Sequence, residues 1–192
     1  MAILQLTHDP ILTSNAQVLV LPVNTAGTLL DPVLTRTKTL YPDNYQRYHR
    51  ACRDSSLLVG SCLLHKRQRE SAGLGASSNG NQPSYIANLV ISDHPYHPTR
   101  EQWLTAALLD LQQQLLPLIR YRGIRKIALL TRPLIFNNPQ DSEAKNPPNA
   151  VPLDWHSETL PLFIRHLQVL PKVRIDLHLP KNIALEANQT LN

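Results

Sequence analysis

Glycine is scarce in this chain. There are 6 in 192 residues, where average usage of about 7% would give roughly 13. Three of them, Gly73, Gly75 and Gly80, fall in one polar stretch, which leaves Gly27, Gly60 and Gly123 for ordered structure. A protein that wraps backbone amides around phosphates generally needs more than this. Cysteine is nearly absent. Cys52 and Cys62 lack the spacing of metal ligands, and the only disulfide left open is one between them. A reduced, cytoplasmic setting is the expectation. No apolar run is long enough to span a bilayer, and the start of the chain lacks a basic-then-apolar signal pattern. The net charge of +5 permits a polyanionic partner without requiring one.

What is present is organised around residues 15–27, NAQVLVLPVNTAG. Val18, Leu19, Val20, Leu21 and Val23 form a nearly unbroken apolar run, the signature of a strand covered on both faces. It ends in the turn-forming Asn24-Thr25-Ala26-Gly27. In open α/β sheets ligands sit beyond the carboxyl ends of strands, so this loop is the first place to look for a site.

Other elements follow in order. A short strand is expected at residues 3–6. Asp31 reads as the N-cap of a helix with Pro32 at its first position, ending before Tyr41-Pro42. A second helix runs from Pro42 or Asp43 to about Cys52. Strands are expected at 57–64, 85–91 and 127–130. A long helix opens on a Thr99/Gln102 capping box, carries a kinking Pro117 and stops at Gly123. Asp154 caps a last helix through Leu167. Residues 173–179 alternate, with Arg174, Asp176 and His178 on one face, and read as a half-exposed strand near an edge. The whole is one domain, residues 1–192, with polar insertions at about 66–84 and 134–152 expected to be mobile. Strands alternating with helices imply a three-layer α/β/α fold with a central mixed, largely parallel sheet.

Several segments, in this order and spacing, resemble the macrodomain family, closest to the branch of antitoxins that remove ADP-ribose from DNA. They are residues 15–27, LYPDNYQRYHRAC at 40–52, LLVGSCLL at 57–64, YIANL at 85–89, YRGIRKIALL at 121–130 and VPLDWHSETLPLFIRHL at 151–167. The resemblance implies a fold that binds ADP-ribose and, in some members, hydrolyses its linkage to protein or nucleic acid. It also exposes departures. The family's first glycine-rich phosphate loop falls on Leu30-Asp31-Pro32, and the second falls near Arg132-Pro133-Leu134. The acidic residue that reads the adenine amino group falls on Pro10, beside Asp9. The lysine of the DNA-acting branch falls on Ser92. These changes imply a pseudoenzyme that has lost glycohydrolase activity.

Candidate ligand-binding residues are therefore Asp9, Asn24, Thr25, Gly27, Arg132 and Asp154. Asn24 either holds a ribose hydroxyl or bonds its own backbone. Gly27 either admits a ligand or sits at a positive-φ turn. If the chain is active, Asp93, His94 and Asp154 are the catalytic candidates, although neighbours in sequence rarely meet in triad geometry and Asp154 also suits an N-cap. His94 and His97 lack a third metal ligand, so no metal or cofactor is called for. Arg36, Lys38, Arg47, Arg50 and Arg53 form either a basic face for nucleic acid or an acidic protein, or a solvated helix surface.

Overall fold

The computed structural model describes residues 1–67, 82–135, 152–184 and 190–191. Most of both polar insertions lies outside the described residues. The strands are β1 (Ile3–Thr7), β2 (Val18–Asn24), β3 (Cys62–Lys66), β4 (Tyr85–Ser92), β5 (Lys126–Leu130), β6 (Arg174–His178) and β7 (Thr190–Leu191). The helices are α1 (Pro32–Leu40), α2 (Pro42–Arg53), α3 (Glu101–Tyr121) and α4 (Leu160–Leu167). The sheet order is β3-β4-β2-β5-β6-β1-β7. β2 runs parallel to β4 and β5, and β6 runs parallel to β5 and β1. The edge pairs β3–β4 and β1–β7 are antiparallel. The sheet is thus mixed and largely parallel, as expected.

β2 lies inside the sheet with all seven residues buried. Its side chains alternate between two cores. Val18 and Val20 pack with Leu104, Leu108, Leu111 and Phe163 of α3 and α4. Leu19, Leu21 and Val23 pack with Leu34, Tyr41 and Tyr48 of α1 and α2. Each such aliphatic side chain contributes about 1.5–3 kcal/mol on burial. This two-sided demand is why the strand reads as a continuous apolar run.

Pro22 is unusual in a central strand, because it has no N–H for a ladder. The β5 ladder stops at Val20↔Leu129, ahead of Pro22. The β4 ladder runs on to Asn24↔Ser92, with a register shift between Val23 and Asn24. The two neighbours of β2 therefore part company at its carboxyl end.

Three expectations are corrected. Residues 57–61 are not strand. Gly60 adopts φ +84° and a Cβ there would lie 3.0 Å from that of Ala106, so the chain turns before β3 begins at Cys62. The Thr99/Gln102 capping box does not form. α3 starts at Glu101 after Arg100, and the Thr99 hydroxyl is buried without a hydrogen-bond partner. Residues 174–178 are not near an edge, since β6 sits between β5 and β1. Asp176 and His178 are nonetheless buried, while Arg174 stays exposed. Asp176 meets Arg174 at 2.7 Å and Lys126 at 3.5 Å.

The Asp31 cap forms as expected, its Oδ1 accepting from Val33 N at 2.8 Å and Leu34 N at 3.3 Å. Pro117 lies within α3, which continues to Tyr121. Cys52 and Cys62 are both free thiols. No helix among the described residues is long and apolar enough to cross a membrane.

Candidate functional site

The carboxyl ends of β1, β5 and β6 border a cleft of about 430 Å³, within the range of roughly 300–1,000 Å³ typical of small-ligand pockets. Asp9 and Pro10 after β1, Val33 of α1, Leu130 at the end of β5 with Arg132 beyond it, and His178 at the end of β6 with residues 179–182 beyond it line the cleft. Thr131, fully buried, donates its hydroxyl hydrogen bond to the His178 carbonyl at 2.8 Å and its N–H to the same oxygen at 3.2 Å. That contact fixes the turn carrying Arg132 against β6.

Asp31 and Arg132 span the two segments where the family resemblance places phosphate loops. Asp31 Oδ2 lies 3.0 Å from Arg132 Nε. Its Oδ1 already accepts from the first amides of α1. A helix N-terminus and a guanidinium are what would receive a phosphate. Here one internal carboxylate takes both. The Asp31 side chain is only 11% exposed, against 49% for Arg132.

The β2 loop forms a second group. Tyr48, 1% exposed, donates its hydroxyl to the Asn24 carbonyl at 2.6 Å. Asn24 Nδ2 donates to the Thr28 carbonyl at 2.8 Å, while its Oδ1 is buried with no partner. The side chain thus holds its own loop and keeps one acceptor in reserve. Gly27 adopts φ +75°, so the turn favours glycine, while a Cβ there would meet Cys52 and His49 at 3.4 Å, close to ordinary contact. Thr25 binds the β4 end, its N–H to Ser92 O at 3.1 Å and its hydroxyl to Asp93 O at 3.2 Å. Ser92 itself is buried, with its hydroxyl bonded to the His94 carbonyl.

Asp93 pairs with His97, not with His94: His97 Nδ1 lies 2.9 Å from Asp93 Oδ1. Partial burial works to raise the Asp93 pKa, but the His97 hydrogen bond and charge and local backbone N–H groups outweigh it and hold the carboxyl below its usual range. His94 packs its ring between those of Tyr96 and His97 and accepts from Tyr96 N.

Asp154 is exposed and is not among the residues that line the cleft. It accepts from the Ser157 N–H and hydroxyl, which lower its pKa. Its own N–H donates to Glu158 Oε2. The helix opens as a wide π turn, Trp155–Thr159, with Thr159 N bonded to Asp154 O. Arg36, Lys38, Arg47, Arg50 and Arg53 are all exposed. Lys38 lies over the Tyr45 ring at 4.4 Å, and Arg53 meets Asp54 at 3.5 Å. Among the described residues no group of three or more His, Cys, Asp or Glu side chains is arranged to hold a metal.

The structure thus brings Asp9 and Arg132 together in one cleft, gathers Asn24, Thr25, Gly27 and Asp93 in a second cluster, and leaves Asp154 outside that cleft. His178 and Lys181 escaped the sequence reading. The alternation that made His178 look solvent-facing is the same one that puts it at the carboxyl end of a parallel strand, which was the available signal.

A parallel-centred sheet between two helical layers, opened at the carboxyl end of its middle strand, is the architecture of a macrodomain, and the chain has that fold. It is similar to the macrodomain of Thermus aquaticus DarG, at 25% identity and TM-score 0.70, covering 94% of this chain and all of that one. It also shares the fold of the Mycobacterium tuberculosis DarG macrodomain, at 20% identity and TM-score 0.67, over 94% of this chain and all of that one. Thermosipho africanus DarTG in complex with ADP-ribose matches at 21% identity and TM-score 0.68, over 95% of this chain and 43% of that one. In sequence, a DNA ADP-ribosyl glycohydrolase of Thermus aquaticus is 29% identical over 126 residues, 66% of this chain and 31% of the relative. The matched region therefore spans about a third of that relative's length. No protein-family model matches the chain.

Proposed function

We propose that this chain is a macrodomain-type nucleotide-binding module that has lost ADP-ribosyl glycohydrolase activity. The observation that carries this reading is the Asp31 carboxylate. It accepts from the α1 amides and pairs with Arg132 at 3.0 Å, so the donors best suited to a diphosphate already have an anion. Ser92 supports it, because its buried hydroxyl faces the His94 carbonyl and offers neither a cation nor a base near neutral pH. The setting is cytoplasmic. The exposed cations of α1 and α2 form the face through which a protein or nucleic-acid partner is met, in the manner of an antitoxin or immunity protein.

One specific arrangement favours a second reading, an active ADP-ribosyl glycohydrolase acting on DNA or protein. Asp93 orients His97 through Nδ1, the geometry of a carboxylate holding a general base, and the sequence relative is named for that activity. Incubation with ADP-ribosylated DNA and protein, followed by chromatographic detection of free ADP-ribose, separates the two. No release is expected. Release that disappears in Asp93→Ala would establish the second reading.

A further inference from the structure

The helical layer of α1 and α2 sorts its charges by direction. Between residues 31 and 54 the cations are Arg36, Lys38, Arg47, Arg50 and Arg53, and the carboxylates are Asp31, Asp43 and Asp54. Two of the carboxylates are turned into the fold. Asp31, 11% exposed, pairs with Arg132, and Asp43, 17% exposed, meets His65 Nε2 at 2.8 Å. Only Asp54 stays outside, next to Arg53. All five cations face solvent. Among the described residues Arg36, Arg47 and Arg50 have no ion-pair partner. The inward pairing leaves an outer surface of nearly one sign.

That surface has a helical spacing. Arg47, Arg50 and Arg53 follow at three-residue steps on successive turns of α2, which spreads them over about 9 Å of helix axis. Lys38 of α1 reaches across to lie over the Tyr45 ring at 4.4 Å, so the charge of α1 adjoins that of α2.

Resting on the reading that these cations form a partner face, we propose that the outer surface of α2, with Arg36 and Lys38 beside it, docks an acidic helix of another protein. Carboxylates at i, i+3 or i+4, and i+7 of such a helix repeat over about the same length as the arginines. A guanidinium takes a carboxylate through two parallel N–H donors. Nucleic acid fits less well. Five cations reach at most about five phosphates, below the roughly 6–10 contacts of a strongly salt-dependent DNA binder. Asp54 would set a negative charge against a continuous phosphate backbone, whereas a protein partner needs only an uncharged residue there. Bases of a single strand need a free ring to stack on, but Tyr45 and His49 lie 5.5 Å apart against one another, with Lys38 over the tyrosine.

The test is fluorescence anisotropy of the full chain with labelled probes at about 0.15 M salt. The probes are an alanine-rich helical peptide of about 20 residues with glutamates at i, i+3, i+4 and i+7, its glutamine counterpart, a DNA duplex of about 20 base pairs and a thymidine strand of similar length. The glutamate peptide is expected to bind at least roughly tenfold more tightly than the glutamine peptide and more tightly than either DNA. Arg47→Glu with Arg50→Glu should cost at least roughly tenfold in peptide affinity. Arg120→Glu with Arg122→Glu, an equal change of net charge on exposed residues at the end of α3, should leave it unchanged. Should the first pair not fold, Arg47→Gln with Arg50→Gln should weaken binding in the same direction. An equal loss in both pairs overturns the proposal, as do tighter binding of either DNA and no peptide binding at about 1 mM. Tighter DNA binding would leave the partner face standing with another occupant. The reading of lost glycohydrolase activity falls instead to turnover of ADP-ribosylated substrates or to tight ADP-ribose binding, neither of which these probes report.

Discussion

Replacing Asp31 with serine should strengthen ADP-ribose binding. Serine retains an oxygen that can cap α1, so the two amides that Asp31 now holds keep a partner and helix stability changes little. What is lost is a negative charge, and what is released is Arg132. Two unit charges of like sign about 4 Å apart repel by about 4 kcal/mol at an effective dielectric near 20. Arg132 is 49% exposed, so the locus is in contact with solvent, and salt at a Debye length of about 8 Å removes much of that. About 1–2 kcal/mol should remain, or roughly a 5- to 30-fold change in affinity. The natural protein is expected to bind ADP-ribose with a dissociation constant near millimolar, about −4 kcal/mol. Asp31→Ser should then bind in the tens to low hundreds of micromolar by titration calorimetry, with Arg132→Ala in that background reversing the gain. Low-micromolar binding by the natural protein, unchanged by Asp31→Ser, would refute the reasoning, since the carboxylate would then not occupy the place of a phosphate.

Other perturbations report on other parts of the molecule. No free ADP-ribose should appear from modified DNA or protein, and turnover abolished by His97→Ala would reverse that expectation. Tyr48→Phe removes the 2.6 Å bond to the buried Asn24 carbonyl and should cost about 1–2 kcal/mol, a fall in Tm of roughly 2–8 °C for a chain of this size; an unchanged Tm in calorimetry would mean the bond contributes nothing net. Burial lowers the pKa of His178 and His166 from 6.5, so the unfolded chain binds protons that the folded one does not. Stability should therefore be flat above about pH 6.5 and decline as pH falls below it; a Tm that stays level from pH 7.5 to 5 would contradict this.

The sequence was legible where one physical demand acted alone. Burial on both faces wrote itself into residues 18–23, and a helix start wrote itself into Asp31-Pro32. It was illegible where long-range pairing reversed a local signal. Alternation of Arg174, Asp176 and His178 is what an edge strand looks like, yet Lys126 from β5 and the Asp9 carbonyl supply the partners that let Asp176 and His178 be buried. Thr99 and Gln102 have the right spacing for a cap, but Thr99 is taken into the interior and α3 starts without it. In the candidate site, the family resemblance singled out the Leu30-Asp31-Pro32 and Arg132-Pro133-Leu134 segments. It did not reveal that Asp31 and Arg132 neutralise one another, because they lie about a hundred positions apart in the chain. Likewise Asp93 could be singled out, but its partner at i+4 rather than i+1 depends on how the loop after β4 turns.

Pro22 has a consequence for how this family of sites can vary. At the carboxyl end of β2 the β5 ladder stops short of Pro22 while the β4 ladder continues. That parting of the strands is a property of β2, set by a missing backbone donor, and owes nothing to the loops that follow it. Loops beyond such a parting can vary in sequence without closing it. The strand end would stay open whatever the loops around it come to hold.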